Sequence, residues 1–184
     1  MPRQIPIPSV VNAILSGFEN SQNTYQEWSG GSWLWEAPEY LICSTVAKHI
    51  AEIEGAKFIT LENGSTRTLE DAGARGRGRL SKDIREKGKV DILLWWGDGS
   101  PRAVIEIKNQ IYSSAQYESD IKRICGFLNR NGHESSLQFG AFAFYESAFS
   151  GTRKSAKEKV DGKIERIFDK VNSIFPNQFD LVSV

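Results

Sequence analysis

The chain has 184 residues, which suits a single domain over residues 1–184 with a sizeable core, or one domain with a small appendage. Hydrophobic residues make up 40% of the chain, with ten Phe and five Trp, and this excludes a disordered protein. The formal net charge of zero argues against a protein that coats nucleic acid non-specifically. No apolar run reaches the ~18 residues of a membrane span, and two cysteines cannot form a disulfide framework. We therefore expect a cytoplasmic protein with no membrane partner.

The N-terminal part predicts a helical extension over residues 9–36. Apolar residues recur at helical spacing over residues 9–19, with Ser9 as a suitable N-cap. Residues 20–32 are polar and end in Ser-Gly-Gly-Ser, which predicts a loop. Tryptophans can cap the sheet edge, form a dimer surface or stack on a nucleotide, and three lie here: Trp28, Trp33 and Trp35.

A second helix is predicted over residues 38–54, ending at Gly55. Glu39 lies seven residues before Val46, so it belongs to the inward stripe at the N-terminus of this helix. One interpretation is favourable interaction of its carboxylate with the helix dipole. The other is a third acidic group directed at a metal site. The sequence leaves both interpretations open.

A short strand over residues 57–61 follows, and then a segment of uneven charge. Residues 67–89 carry eight basic side chains against four acidic ones. Such a local patch can bind phosphates even though the whole chain is neutral.

The most informative stretch is residues 89–109, where two apolar runs flank Asp98-Gly99. This dipeptide predicts a β-hairpin whose cross-strand partners have numbers that sum to 197. Asp91 is then opposite Glu106, and Lys108 lies on the same face. Two carboxylates on an apolar strand pair need a cation or a proton between them. Divalent ions such as Mg²⁺ are held by one or two carboxylates, and a nearby lysine can stabilise charge on a phosphate.

These residues resemble the PD-(D/E)XK nuclease superfamily, which has the restriction-endonuclease-like fold. The matching residues are Asp91 and, after fourteen intervening residues, Glu106-Ile107-Lys108; Val90 stands where the name of the motif has Pro. The resemblance implies that Asp91 and Glu106 bind the metal, with the Ile107 carbonyl as a further ligand. It also implies that Lys108 is the catalytic lysine.

The same resemblance concerns two further side chains. In this superfamily a Glu on the first core helix often reaches the metal, and Glu39 is the position that matches. Some branches have a Gln on the helix after the lysine strand, with a Tyr a few residues later. Gln116 lies on that helix and is assigned a supporting catalytic role, although Tyr117 follows it directly.

The remaining elements complete an α/β core. A helix is predicted over residues 113–131, a strand over residues 138–145, a helix over residues 153–174 and an edge strand over residues 179–182. The order over residues 38–146 is αβββαβ, a central mixed sheet flanked by helices, with extra N- and C-terminal helices. This is the order that the resemblance implies. Four charged residues are assigned to the solvated face of the helix after the hairpin: Glu118, Asp120, Lys122 and Arg123.

The function that follows is a Mg²⁺- or Mn²⁺-dependent nuclease, acting on DNA in preference to RNA. Basic side chains would contact the phosphate backbone, namely Arg75, Arg77, Arg79, Lys82 and Arg85. A chain of this size that cuts both strands as an endonuclease would act as a homodimer. Two alternatives are a non-catalytic module for nucleic acid or protein binding on the same fold, and a phosphohydrolase acting on nucleotides.

Overall fold

The computed structural model describes residues 5–55, 57–74, 80, 84, 88–130 and 135–176. The helices are α1 (Ile7–Ser29), α2 (Glu39–Ala51), α3 (Ser65–Asp71), α4 (Ser114–Asn129) and α5 (Ala156–Ile174), with a 3₁₀ helix at Leu34–Glu36. The strands are β1 (Lys57–Gly64), β2 (Lys89–Trp96), β3 (Pro101–Lys108) and β4 (Phe139–Phe144). The predicted order is therefore confirmed over α2 to β4, with the short helix α3 inserted between β1 and β2.

The four strands form one open mixed sheet in the order β1-β2-β3-β4. The pairs β1–β2 and β2–β3 are antiparallel, and β4 joins β3 in parallel. Helices α1 and α2 pack on the face that carries Ile92, Leu94 and Ile105. Helices α3 and α4 pack on the opposite face, against Leu93 and Val104. Both faces of the central strands are thus covered, as their apolar composition predicted.

The register of the central hairpin is confirmed from Ile92 to Leu94, and the predicted pair of Asp91 and Glu106 lies just beyond the last ladder pair. Ile92 pairs with Ile105 and Leu94 with Ala103, and both pairs have numbers that sum to 197. The register shifts by one residue at Trp95, which pairs with Pro101 next to the turn. Gly99 has a φ of 87°, a conformation that side-chain-bearing residues seldom adopt.

The first helix is longer than predicted, and the loop expected over residues 20–32 is wrong for most of its length. Helix α1 begins at Ile7 after Pro6, so Ser9 is not its N-cap, and it continues to Ser29. The polar stretch still follows the helical repeat, because Ser21 is buried and donates a hydrogen bond to the Gly17 carbonyl at 2.7 Å. The helix ends only at Gly30, which adopts the left-handed conformation with a φ of 72°.

The other boundaries differ from the predictions by a few residues. Helix α2 ends at Ala51, before the predicted stop at Gly55, and β1 continues to Gly64. Helix α5 begins after Ser155, whose hydroxyl and backbone N–H form a capping box with Glu158. The predicted edge strand over residues 179–182 lies outside the described residues.

No helix within the described ranges is both long and apolar enough to cross a membrane.

Candidate functional site

Asp91 lies where strands β2 and β3 separate. The β2–β3 pairing ends at Ile92 and Ile105, whereas β2 remains paired with β1 as far as Lys89. In place of a further strand pair, the Asp91 carboxylate accepts a hydrogen bond from the Ile107 backbone N–H at 2.8 Å. The short carboxylate thus satisfies a backbone donor that the separating strands would leave unpaired. This point between the two strands is called the fork below.

Glu106 is completely buried beside the fork and is held by Arg123 of α4. Arg123 donates from Nε to one carboxylate oxygen at 2.8 Å and from Nη2 to the other at 2.6 Å. The same Nη2 atom also donates to Asp120 at 2.8 Å. This two-point geometry is the strongest form of an arginine–carboxylate pair, and it fixes the orientation of Glu106.

Lys108 connects the helices on the two faces of the sheet. Its ammonium lies 3.2 Å from the Glu39 carboxylate on α2 and 3.5 Å from Asp120 on α4. It also donates to the Ile107 carbonyl at 3.3 Å. Glu39 in turn accepts a hydrogen bond from the Asn109 backbone N–H at 3.1 Å. The structure therefore brings Glu39 to the end of β3, and its place in the first turn of α2 also suits the helix dipole.

Asn109 fastens the segment before α2 to the end of β3. Its side-chain amide donates to the Leu34 carbonyl at 2.9 Å and to the Ala37 carbonyl at 2.7 Å. These bonds hold the 3₁₀ helix beside Lys108 and so help to place Glu39. Nothing in the sequence indicated this role, because an Asn after a strand is read first as a turn residue.

Burial dominates the electrostatics of the two fork carboxylates. It raises the pKa of Asp91 above its usual value, although the Ile107 N–H and Lys108 act in the opposite direction. It raises the pKa of Glu106 to about 8, although the hydrogen bonds and charge of Arg123 lower it. For Lys108, burial lowers the pKa, but Asp120 and Glu39 raise it more, so the net shift is upward. Lys108 is therefore a cation at neutral pH.

The oxygen-rich composition of the site fits a hard divalent cation. Four acidic side chains (Glu39, Asp91, Glu106 and Asp120) meet two cationic side chains (Lys108 and Arg123), so acidic groups outnumber cationic ones, and burial disfavours the charged form of Asp91 and Glu106. Each Glu106 oxygen keeps one lone pair beyond its bond to Arg123. Two buried oxygens near the site are only partly satisfied within the described part of the chain: Asn109 Oδ1 has no hydrogen-bond partner, and Asp120 Oδ2 has the Lys108 ammonium 3.5 Å away.

The arrangement differs from a cage of protein ligands. Within the described ranges, no group of three or more His, Cys, Asp or Glu side chains is arranged to hold a metal ion. The donor set that the resemblance implies is the Asp91–Glu106 pair with the Ile107 carbonyl. Magnesium is commonly bound by one or two carboxylates, with waters and substrate oxygens as the other ligands.

The assignment of Asp120 and Arg123 to the solvated face of their helix is wrong. They are only 5% and 8% exposed, because each pairs with an oppositely charged group at the end of β3. A signal for this existed in the sequence. Asp120, Arg123 and the fully buried Phe127 are spaced i, i+3, i+7, so they form one stripe of the helix surface.

Gln116 has a capping role in the structure. Its Oε1 atom accepts from the backbone N–H groups of Tyr112 at 2.6 Å and Ser113 at 3.0 Å, which completes a capping box at the start of α4. Its supporting role in catalysis stays a prediction. The five basic residues assigned to nucleic-acid binding (Arg75, Arg77, Arg79, Lys82 and Arg85) lie outside the described residues.

The chain was compared with models of known protein families, with curated proteins and with solved structures, and it matches none of them.

Proposed function

We propose that this protein is a metal-dependent nuclease with a restriction-endonuclease-like core, and that it hydrolyses phosphodiester bonds of DNA. One observation carries the proposal. Two acidic side chains, Asp91 and Glu106, lie close to the cationic Lys108 at the fork. Glu39 joins them through its ion pair with Lys108. Paired buried carboxylates beside a cationic lysine are expensive in stability. A phosphoryl-transfer site is a function that makes use of all three.

The residues divide into two roles. Asp91, Glu106 and the Ile107 carbonyl would hold Mg²⁺ or Mn²⁺, with Glu39 as a further carboxylate near Lys108. When bound, the ion lowers the pKa of a coordinated water and neutralises charge on the phosphate. Lys108 is positively charged and would stabilise the negative charge that builds up on the phosphate in the transition state.

Arg123 and Asp120 would position this machinery. Arg123 fixes the Glu106 carboxylate, and Asp120 lies between the Arg123 guanidinium at 2.8 Å and the Lys108 ammonium at 3.5 Å. Asp120 therefore restrains Lys108 from the α4 side, while Glu39 restrains it from the α2 side. Restraint from two elements limits the rotamers available to a long, flexible side chain.

A second candidate function is a non-catalytic binding module on the same fold. The observation in its favour is that Arg123 binds both oxygens of Glu106 and that Lys108 already has two carboxylate partners. Such an ion-pair network can be purely structural. Asp91 favours the nuclease, because Lys108 and Arg123 already have carboxyl partners and a structural network gains no ion pair from a further acidic group.

Cleavage of a supercoiled plasmid and of a single-stranded DNA circle tests the proposal. We expect wild type to cut at least one of these DNAs with Mg²⁺ or Mn²⁺ and neither of them in EDTA. Lys108→Ala should lower the rate by roughly 10²- to 10³-fold, the loss typical of one preorganised electrostatic group. Lys108→Arg should stay impaired, because the guanidinium keeps the charge and not the geometry.

A matched control is Lys48→Ala, which removes an exposed lysine that also pairs with a carboxylate, Glu52. It should cut as wild type does. The proposal fails if wild type cuts neither DNA nor RNA with any of these metals, or if Lys108→Ala cuts as fast as wild type.

A further inference from the structure

Four aromatic side chains line one concave surface near the candidate site. They are Trp33, Trp35, Tyr112 and Phe149, and with Gln110 they define what is called the aromatic groove below. The cavity volume is about 240 Å³, smaller than the roughly 300 Å³ at which pockets for drug-sized ligands begin. Tyr112 is 72% exposed and Phe149 71%. Exposed aromatic side chains that converge on one surface indicate a binding site, whereas scattered ones do not.

The aromatic groove adjoins the candidate catalytic site through Asn109. Gln110 lies two residues after Lys108, so their Cα atoms are within about 7 Å. Trp35 belongs to the 3₁₀ helix, which Asn109 holds through the carbonyls of Leu34 and Ala37. A polynucleotide with a phosphate at Lys108 would therefore bring a neighbouring base to the aromatic groove.

The chemistry of the aromatic groove suits a planar ring. Trp33 and Phe149 meet edge to face, with ring centroids 6.3 Å apart and planes at 76°. In this arrangement each ring leaves at least one face of the other ring uncovered. Gln110 is held in place at both ends of its amide. Its Oε1 atom accepts from the Tyr112 hydroxyl at 2.8 Å, and its Nε2 atom donates to Glu146 at 3.2 Å. One amide N–H and one lone pair remain for the edge of a base.

We propose that the aromatic groove binds an unpaired nucleobase next to the scissile phosphate, so that the substrate is single-stranded nucleic acid or an unpaired strand end. This inference rests on the proposed nuclease function. A base in a duplex is stacked on its neighbours and cannot present its face to aromatic side chains. Stacking on aromatic rings tolerates every base, so the aromatic groove selects strand structure and not sequence.

The test measures binding in EDTA, where no cleavage occurs. An oligonucleotide is compared, as a single strand and as a duplex of the same sequence, by anisotropy and by quenching of tryptophan fluorescence. Wild type should bind the single strand more tightly, with quenching. Phe149→Ala and Tyr112→Ala should each weaken this binding by about five- to 150-fold, the range for loss of one stacking ring.

Phe58→Ala is the matched control, because Phe58 is a 58% exposed aromatic residue on β1 that does not line the aromatic groove. It should bind the single strand as wild type does. Tyr112 and Phe149 are largely exposed, so their alanine variants should keep the wild-type circular dichroism spectrum and thermal midpoint.

Cleavage of the plasmid and of the single-stranded circle with Mg²⁺ or Mn²⁺ separates the two proposals. If wild type cuts either DNA but the Phe149→Ala and Tyr112→Ala variants bind the single strand normally, the aromatic groove proposal is wrong and the nuclease stands. If the single strand binds through these rings but no polynucleotide is cut, the nuclease fails, and with it the placement of the base beside a scissile phosphate. Binding of a proline-rich peptide in place of the single strand would assign the aromatic groove to a protein partner and overturn the proposal.

Discussion

At the scale of single residues, Glu106 is the most constrained group of the candidate site. It is fully buried, and Arg123 binds both of its oxygens. The sequence predicted that Asp91 and Glu106 would be adjacent, because hairpin register follows from local turn chemistry and alternation. It did not predict Arg123 as their partner. The stripe of Asp120, Arg123 and Phe127 was a local signal that Arg123 is buried, but its partner lies on a distant strand, which no local pattern reports.

Removal of Arg123 tests this contact. Arg123→Ala leaves the buried Glu106 and Asp120 side chains without the arginine that they share, and we expect the free energy of unfolding in urea to fall by about 3–5 kcal/mol. Arg123→Lys should lose part of this, because a lysine cannot bind both oxygens in the same plane. Lys157→Ala, which breaks the exposed pair with Asp161, is the control and should change stability little. Equal effects of Arg123→Ala and Lys157→Ala would show that the buried pair does not hold the site.

At the scale of elements, the hairpin and the first helix illustrate what sequence patterns can and cannot predict. The pairing of β2 with β3 was predicted correctly up to the fork. The fork itself was not predicted, because the separation of two strands depends on the group that replaces their backbone pairing, here the Asp91 carboxylate. The length of α1 was underestimated because its C-terminal half is polar. Tertiary contacts hold that half, since Ser21 is buried and Gln22 accepts a hydrogen bond from the Leu34 backbone N–H. The N-terminal half packs on α2 through Gly17, and such partners are not visible in the local sequence.

Two helical glycines give a matched test of this packing. A Cβ atom on Gly17 would lie 2.7 Å from the Val46 Cα atom, so the α1 and α2 backbones would have to separate. Gly17→Ala should therefore lower the free energy of unfolding by about 1–3 kcal/mol, in spite of the better helix propensity of Ala. Gly162→Ala in α5 meets nothing closer than 3.6 Å, at the end of the Arg166 side chain. It should be neutral or stabilising by up to about 1 kcal/mol. The same effect at both glycines would contradict the close approach of α1 and α2.

At the scale of the whole molecule, the candidate site is where the two helical layers meet around the sheet. Lys108 contacts Glu39 of α2 on one side and Asp120 of α4 on the other. The αβββαβ order could be predicted from the sequence, because each element carries its own periodicity and turns. The joining of both layers at one lysine could not, because it depends on how α2 and α4 lie across the sheet. The basic segment proposed to contact DNA lies mainly outside the described residues.

The proposed function depends most on binding of a divalent cation by Asp91 and Glu106 at the fork, and heat stability measures this binding for the whole protein. A ligand that binds only the folded state at about a hundred times its Kd adds about 2.7 kcal/mol. For a chain of this size we expect Mn²⁺ to raise the thermal midpoint of wild type by about 5–10 °C. Asp91→Asn and Glu106→Gln keep the size of each side chain and remove its charge, so they should show little or no rise.

Asp161→Asn, which removes an exposed carboxylate of α5, is the control for non-specific binding and should respond to Mn²⁺ as wild type does. The decisive measurement is therefore the Mn²⁺-induced shift of the thermal midpoint in wild type, Asp91→Asn and Glu106→Gln. A shift confined to wild type and Asp161→Asn is the predicted result. An equal shift in all four proteins, or none in wild type with either Mn²⁺ or Mg²⁺, would contradict the account.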